Sequence, residues 1–356
     1  MTAAQRLREM VEGKPVSEIG ASGWLHSPGP DRGTAEEFSS EIIRMTDYSR
    51  WDLIKIMPNG VYTQEAHGSD IEYFSGNLTL EDLKAKRVFQ IHHYMIEHPR
   101  QMEAFPVLDV SKNMVFQREI ANVKALADHY QGTVPVLPTI FTPTHCIPEF
   151  VGGIDKARWY FENHPNAVDK MLQSLVQTEL QLLDAYIEAG ADGFFFAQRY
   201  SNADILSEKE FERFVRPYDD MLMERIKDRT WFNMIHVHGA RNFFWDQFKT
   251  YNVQAISWEN TPLQIPEEER STVEKVRAIT DKVLITGTDQ FHDFYGTKEE
   301  VLNRFRQRVE RAAKESGDNR LIFAPGCSLP LDIDNETVHL LRVAADEYNA
   351  GLKTGV

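Results

Sequence analysis

The chain has little cysteine, no long apolar run and no excess of positive charge, and each absence removes a class of protein. Cys146 and Cys327 are the two cysteines among 356 residues. They are too few for a disulfide framework, so a reducing, cytoplasmic setting is expected. No apolar stretch approaches the roughly 20 residues of a membrane span. The run Met1-Thr2-Ala3-Ala4-Gln5-Arg6-Leu7-Arg8 continues into a polar helix and lacks the apolar core of a signal peptide. The formal net charge of −15 argues against a nucleic-acid or anionic-membrane surface, where phosphate repulsion would dominate. Also missing are a glycine-rich phosphate turn, a P-loop and a Gly-x-Ser-x-Gly elbow, which removes the signatures of dinucleotide folds, P-loop enzymes and serine hydrolases. With no internal repeat, low-complexity segment or linker, residues 1–356 read as a single domain with a short N-terminal helical extension.

What is present is a series of short apolar segments separated by helical patterns. Hydrophobic residues make up 42% of the chain, enough for a sizeable core. Strands are expected at about 23–27, 52–57, 134–140, 193–197, 232–238, 253–258, 283–287 and 321–325. Near-continuous apolar strands alternating with helices imply a parallel sheet covered on the outside. Eight of them match an α/β fold of the closed (β/α)8 barrel type. Between the second and third strands, Val61 to Gly76 reads as a loop and Leu80 to His98 as a helix capped by Thr79. Ala167 to Ala189 is the longest helix, with Met171, Leu172, Leu175, Val176, Leu182 and Leu183 as its buried stripe. Ser207-Glu208-Lys209-Glu210 and Thr297-Lys298-Glu299-Glu300 are capping boxes that open later helices.

A barrel gathers its chemistry at the C-terminal ends of its strands. The fifth strand ends Ile235-His236-Val237-His238-Gly239, and residues i and i+2 of a strand share a face. The eighth ends Pro325-Gly326-Cys327. Two imidazoles and a thiolate are a three-ligand set suited to zinc, with one position open for chemistry. The plainer alternative makes His236 and His238 hydrogen-bonded pocket residues and Cys327 a small buried filler. Glu259 and Asp289, at the ends of the sixth and seventh strands, are the candidate fourth ligand or neighbouring acid. Trp24, His26, Tyr62, Phe141, Phe195, Gln198 and Trp258 are the candidate walls of a pocket for a small organic substrate. Lys55, His145 and Arg199 also fall on this rim.

Several segments together resemble the uroporphyrinogen decarboxylase superfamily, from about Trp24 to Tyr348. They are Val134-Pro135-Val136 with Phe141-Thr142-Pro143, Gly190-Ala191-Asp192-Gly193, and Leu206-Ser207 with Phe211, Phe214 and Pro217-Tyr218. His236-x-His238-Gly239 and Pro325-Gly326-Cys327-Ser328-Leu329-Pro330 complete the set. The resemblance implies a (β/α)8 barrel and one of two chemistries. Porphyrin decarboxylases carry an arginine-rich segment near the first strand and an aspartate ending the second. Here those places read Gly23-Trp24-Leu25-His26-Ser27 and Lys55-Ile56-Met57-Pro58-Asn59. The other branch moves a methyl group between a corrinoid protein or a methylated substrate and a thiol or folate acceptor, several members using zinc on His-x-Cys and a later Cys. Carried over, that set falls on His236, His238 and Cys327, with His238 departing from the family's cysteine. The resemblance thus implies a methyltransferase with zinc, and a corrinoid or tetrahydrofolate as methyl carrier. The alternatives are a metal-independent carboxy-lyase, in which His236 or His238 transfers the proton, and a non-catalytic binding barrel. The expected partners are a small-molecule substrate and a corrinoid protein, with a homodimer an admissible assembly.

Overall fold

Eleven strands are present in the computed structural model, which describes residues 1–74, 79–85 and 88–354. In chain order they are β1 (Gly20–Ala21), β2 (Ile54–Lys55), β3 (Asp70–Tyr73), β4 (Phe89–His93), β5 (Val136–Leu137) and β6 (Thr139–Phe141). β7 (Phe195–Gln198), β8 (Met234–Val237), β9 (Ala255–Trp258), β10 (Val283–Thr288) and β11 (Leu321–Pro325) follow. Seven form one parallel sheet in the order β1-β11-β10-β9-β8-β7-β6, and β2 pairs in parallel with β5. β5 and β6 are one strand interrupted at Pro138, which has no N–H to donate. The first part faces β2, and the second faces β7. The neighbours therefore run in the order of an eight-stranded α/β barrel with helices between the strands.

The seam between β1 and β2 is made differently. No ladder crosses it. The backbone N–H of Asp52 donates to Ala21 O at 3.0 Å, and the N–H of Ala21 donates to Asp52 Oδ2 at 2.7 Å. Arg342 and Arg6 bind the same buried carboxylate. A side chain thus stands in for a missing strand bond. The N-terminal helix Ala3–Val11 buries Leu7 and Met10 in the main core, and its Ala4 N–H donates to Thr133 O at 3.1 Å.

The helix Pro165–Glu188 buries all six residues expected of its stripe, and both capping boxes open their helices. Three expectations fail. The first strand lies at Gly20–Ala21, so Trp24 and His26 sit in the loop beyond it. The segment Leu80 to His98 is not one helix. A five-residue helix, Leu80–Lys84, is followed by β4, which pairs antiparallel with β3 inside the stretch read as a loop. Phe89 and Ile91 alternate with polar residues, and this period of two outweighed the helical reading. A short helix, Tyr62–Ala66, also lies in that stretch. Residues 75–76 of the expected loop and 86–87 of the expected helix lie outside the described residues. Among those described, no helix is long and apolar enough to cross a membrane.

Candidate functional site

Strand alternation decides which side chains reach the barrel mouth. On β7, Phe195 and Ala197 line a cavity of ≈220 Å³ and Arg199 follows them, while Phe196 and Gln198 face the helices. On β8 the same alternation sends His236 and His238 inward. Gly239 then turns the chain at φ +135°, where a Cβ would lie 2.4 Å from Asn202 Nδ2. From β11, Cys327 enters the same cavity. Ligand atoms of His236, His238 and Cys327 all lie within 4.8 Å of one another, and Cys327 Sγ is 3.8 Å from His238 Nδ1.

The environment of each imidazole is distinct. His236 is buried, its Nδ1 is 3.2 Å from Ser257 Oγ, and its Nε2 has no hydrogen-bond partner among the described residues. Its ring stacks on Phe195 at 5.5 Å. Burial holds its pKa below the ordinary histidine value, against the opposing pull of Cys327. Burial also disfavours charge on His238, but the hydrogen bond and charge of Cys327, helped by Glu259, outweigh it and raise the pKa. An orphaned buried nitrogen beside a thiol and a second imidazole is what a soft divalent metal requires. The three residues fit zinc.

Around this trio the cavity wall is aromatic and cationic. Trp24, Phe141 and Phe195 line it, with Trp24 edge-on to Phe195 at 6.0 Å. His26 also lines it, from the loop after β1. The ammonium of Lys55 lies 4.4 Å over the Phe195 ring. His145 packs against Phe141 at 4.9 Å, and burial pushes its pKa well down. Arg199 Nη1 donates to Glu149 Oε1 at 2.7 Å.

Four residues expected at the site are placed elsewhere. Tyr62 lies behind Phe141 and donates to Thr139 O at 3.0 Å. Gln198 donates to Thr142 Oγ1 and Asp219 Oδ2 at 2.8 and 2.9 Å. Trp258 is fully buried with Nε1 on Ser271 O. For Gln198 and Trp258 the cause is one residue of alternation, since Arg199 and Ser257 take the inward positions. Asp289 is used up in its turn, accepting from the N–H groups of Leu263, Phe291 and His292. Glu259 is close: a Cβ on Gly326 would come within 3.0 Å of its Cα. Met57, Gly60, Ala197 and Ser328 join the lining beside residues the sequence had placed there, and two lining residues come from elements that sequence reasoning did not bring to the mouth. Phe89 comes from the hairpin and Glu149 from the helix Pro143–Val151. The alternation Phe89-Gln90-Ile91 could have revealed the first, whereas nothing local marks the second. A larger concavity of ≈630 Å³ at the opposite end of the strands, beside Arg277 and Lys282, contains none of the trio.

The uroporphyrinogen decarboxylase (URO-D) family profile matches residues 81–348. No curated protein matches the chain. Among solved structures, a methyltransferase from Methanosarcina mazei superposes with a TM-score of 0.79 at 16% identity, covering 98% of this chain and 99% of its own. A B12-independent methionine synthase from a Shewanella species, in complex with selenomethionine, gives 0.56 at 13% identity, with 96% of each chain covered. A putative enzyme of that kind from Listeria monocytogenes gives 0.51 at 13%, over 94% of this chain and 98% of its own. At these identities the likeness is one of fold.

Proposed function

The chain belongs to the uroporphyrinogen decarboxylase family, and we propose that within it the protein is a metal-assisted methyltransferase. It would move a methyl group between a small methylated substrate or methyl-corrinoid and a thiol or folate acceptor. The observation that carries this reading is the convergence of His236, His238 and Cys327, with Nε2 of His236 buried and unpartnered. Two of the proteins whose folds superpose on this chain are a methyltransferase and a methionine synthase, which is in keeping with this reading.

His236, His238 and Cys327 would hold a zinc ion, which would supply Lewis acidity and lower the pKa of a thiol or water. The chain's own residues do the rest. The contact of His236 Nδ1 with Ser257 Oγ at 3.2 Å fixes the ring, and with Nδ1 protonated Nε2 would be the lone-pair donor. Phe195 holds that ring from one face. Trp24, Phe141 and Phe195 keep water from the reacting atoms. Lys55 and the Arg199–Glu149 pair give the lining a net positive charge, suited to a small neutral or anionic substrate and adverse to a methylammonium.

The family's porphyrin chemistry is disfavoured on charge. A substrate with many carboxylates needs many cations, and the mouth presents Lys55 and an already paired Arg199. The test is metal content after purification without added metal. Stoichiometric zinc in the wild type and its loss in His238→Ala are expected. A metal-free chain with full activity in chelator would sink the reading and restore the metal-independent carboxy-lyase.

A further inference from the structure

Beside the mouth, Phe89 and Glu149 wall off a cleft of ≈420 Å³ whose described lining carries a carboxylate and no cation. The concavity of ≈630 Å³ at the other end of the strands is the reverse. Lys249, Arg277 and Lys282 line it, against one carboxylate, Asp281. The Asp281 side chain is 99% exposed and lies 3.6 Å from Arg320, so solvent and that arginine hold its charge. On a chain of net charge −15, composition alone does not account for such a local excess of cations. We propose that this concavity binds an organic phosphate, with its phosphate on Lys282, Arg277 and Lys249 and its organic body on Val11 and Ile279. The site lies at the N-terminal ends of β9 and β10, whereas the trio lies at C-terminal strand ends, so the proposal is independent of the methyl-transfer reading.

The two inner cations are held by main-chain oxygens. Lys282 Nζ donates to Tyr251 O at 2.7 Å and to Val253 O at 2.9 Å. An ammonium has three N–H bonds, so these carbonyls leave one to give. Lys282 makes no ion pair among the described residues, and burial lowers its pKa. The Arg277 side chain is 13% exposed. Its Nη1 donates to Thr280 O and Lys282 O at 3.1 and 2.9 Å, and its Nη2 to Arg320 O at 3.1 Å. Its Nε is buried with no hydrogen-bond partner among the described residues. The Asp318 carboxylate lies 3.4 Å from Arg277 but is bound more closely by Arg320, at 2.7 Å. A carbonyl dipole solvates a cation without neutralising it, so net positive charge remains and favours an anion. Lys249 is exposed at the rim and pairs with the exposed Asp246, a contact that water screens and that a phosphate can replace. A phosphate carries more charge and more acceptor oxygens than a carboxylate, enough to meet three cations together. Bare phosphate would leave most of the volume to water, and the size is that of a site for an organic molecule. Val11, ending the helix Ala3–Val11, and Ile279 supply exposed apolar surface on the same lining.

The test is calorimetric titration of the purified full-length protein at one fixed ionic strength. The probes are adenosine diphosphate, inorganic phosphate and adenosine. Saturable binding of adenosine diphosphate is expected, at least tenfold tighter than phosphate or adenosine, because each of those supplies only part of the contacts. Lys249→Glu and Ile279→Asp alter exposed rim positions. Each should weaken adenosine diphosphate at least tenfold while the thermal midpoint stays where it is. His238→Ala, at the far end of the barrel, should bind it as the wild type does. No saturable binding to the wild type, or wild-type affinity in both rim variants, overturns the proposal. Phosphate binding as tightly as adenosine diphosphate does so too, since the apolar rim would then have no part. Binding abolished by His238→Ala would place the ligand in the mouth and sink the site.

Discussion

The two sides of the barrel are built to different standards. From β7 to β11 the strands are four to six residues long, and each is laddered to its sequence neighbours. On the other side β1, β2 and β5 have two residues each, one seam is held by the Asp52 carboxylate, and a hairpin is inserted after β2. The candidate metal-binding trio, His236, His238 and Cys327, comes wholly from the laddered side. Most of the aromatic and cationic wall, Trp24, His26, Lys55, Phe89 and Phe141, comes from the other. A ligand set must hold its atoms to about half an ångström, which strands in register can guarantee. A wall for an organic molecule tolerates more, and loops can supply it.

The largest expected effect tests the laddered side. His238→Ala should lower turnover at least a thousandfold, about 4 kcal/mol in the barrier, while thermal stability moves little, because His238 sits at the partly solvated rim and outside the fully buried apolar core. A loss of activity that tracks unfolding would show that the trio supports the fold and has no separate chemical role.

Backbone tolerance should differ next. A Cβ on Gly193, leading into β7, would lie 1.8 Å from Phe232 O, inside rigid backbone. On Gly20 of β1 it would lie 3.2 Å from the Asp52 carboxylate. Gly193→Ala should cost roughly 3 kcal/mol or more and Gly20→Ala clearly less, by the logic of overpacking. Urea unfolding of both variants checks this, and equal costs would erase the distinction between the sides.

The smallest effect is in pH. Burial raises Asp219, bonded to Gln198 of β7, to about 7, and raises Glu119, paired with Arg118, to about 7. A carboxyl raised above its unfolded value adds stability fully present below the unfolded pKa, and that stability is lost as pH rises through the folded one. Thermal midpoints should therefore fall between about pH 4 and pH 7 and level off above. Asp219→Asn should flatten the slope, and an unchanged slope would refute Asp219 as a source.

The sequence was most legible where the chain is most regular. β7 to β11 announced themselves as apolar runs between capped helices, because a buried parallel strand has no polar face to disguise it. The pairing of His236 with His238 on one face followed from the period of two. Legibility failed where strands shorten to two residues. There β1 was placed several residues late and the hairpin was read as loop and helix, since such short elements owe their existence to neighbours.

By itself, then, the sequence determined the α/β class, the order of the long strands and the two inward histidines, all of which depend on local periodicity. Only the tertiary structure decided that Cys327, 89 residues after His238, stands 3.8 Å from its ring. It alone decided that Arg199 and Ser257 face inward in place of Gln198 and Trp258, and that Phe89 and Glu149 divide two cavities. The reason is physical. Periodicity fixes which residues share a face, but the phase of that face at a strand's end, and the distance between faces of remote strands, are set by how the whole sheet curves and packs.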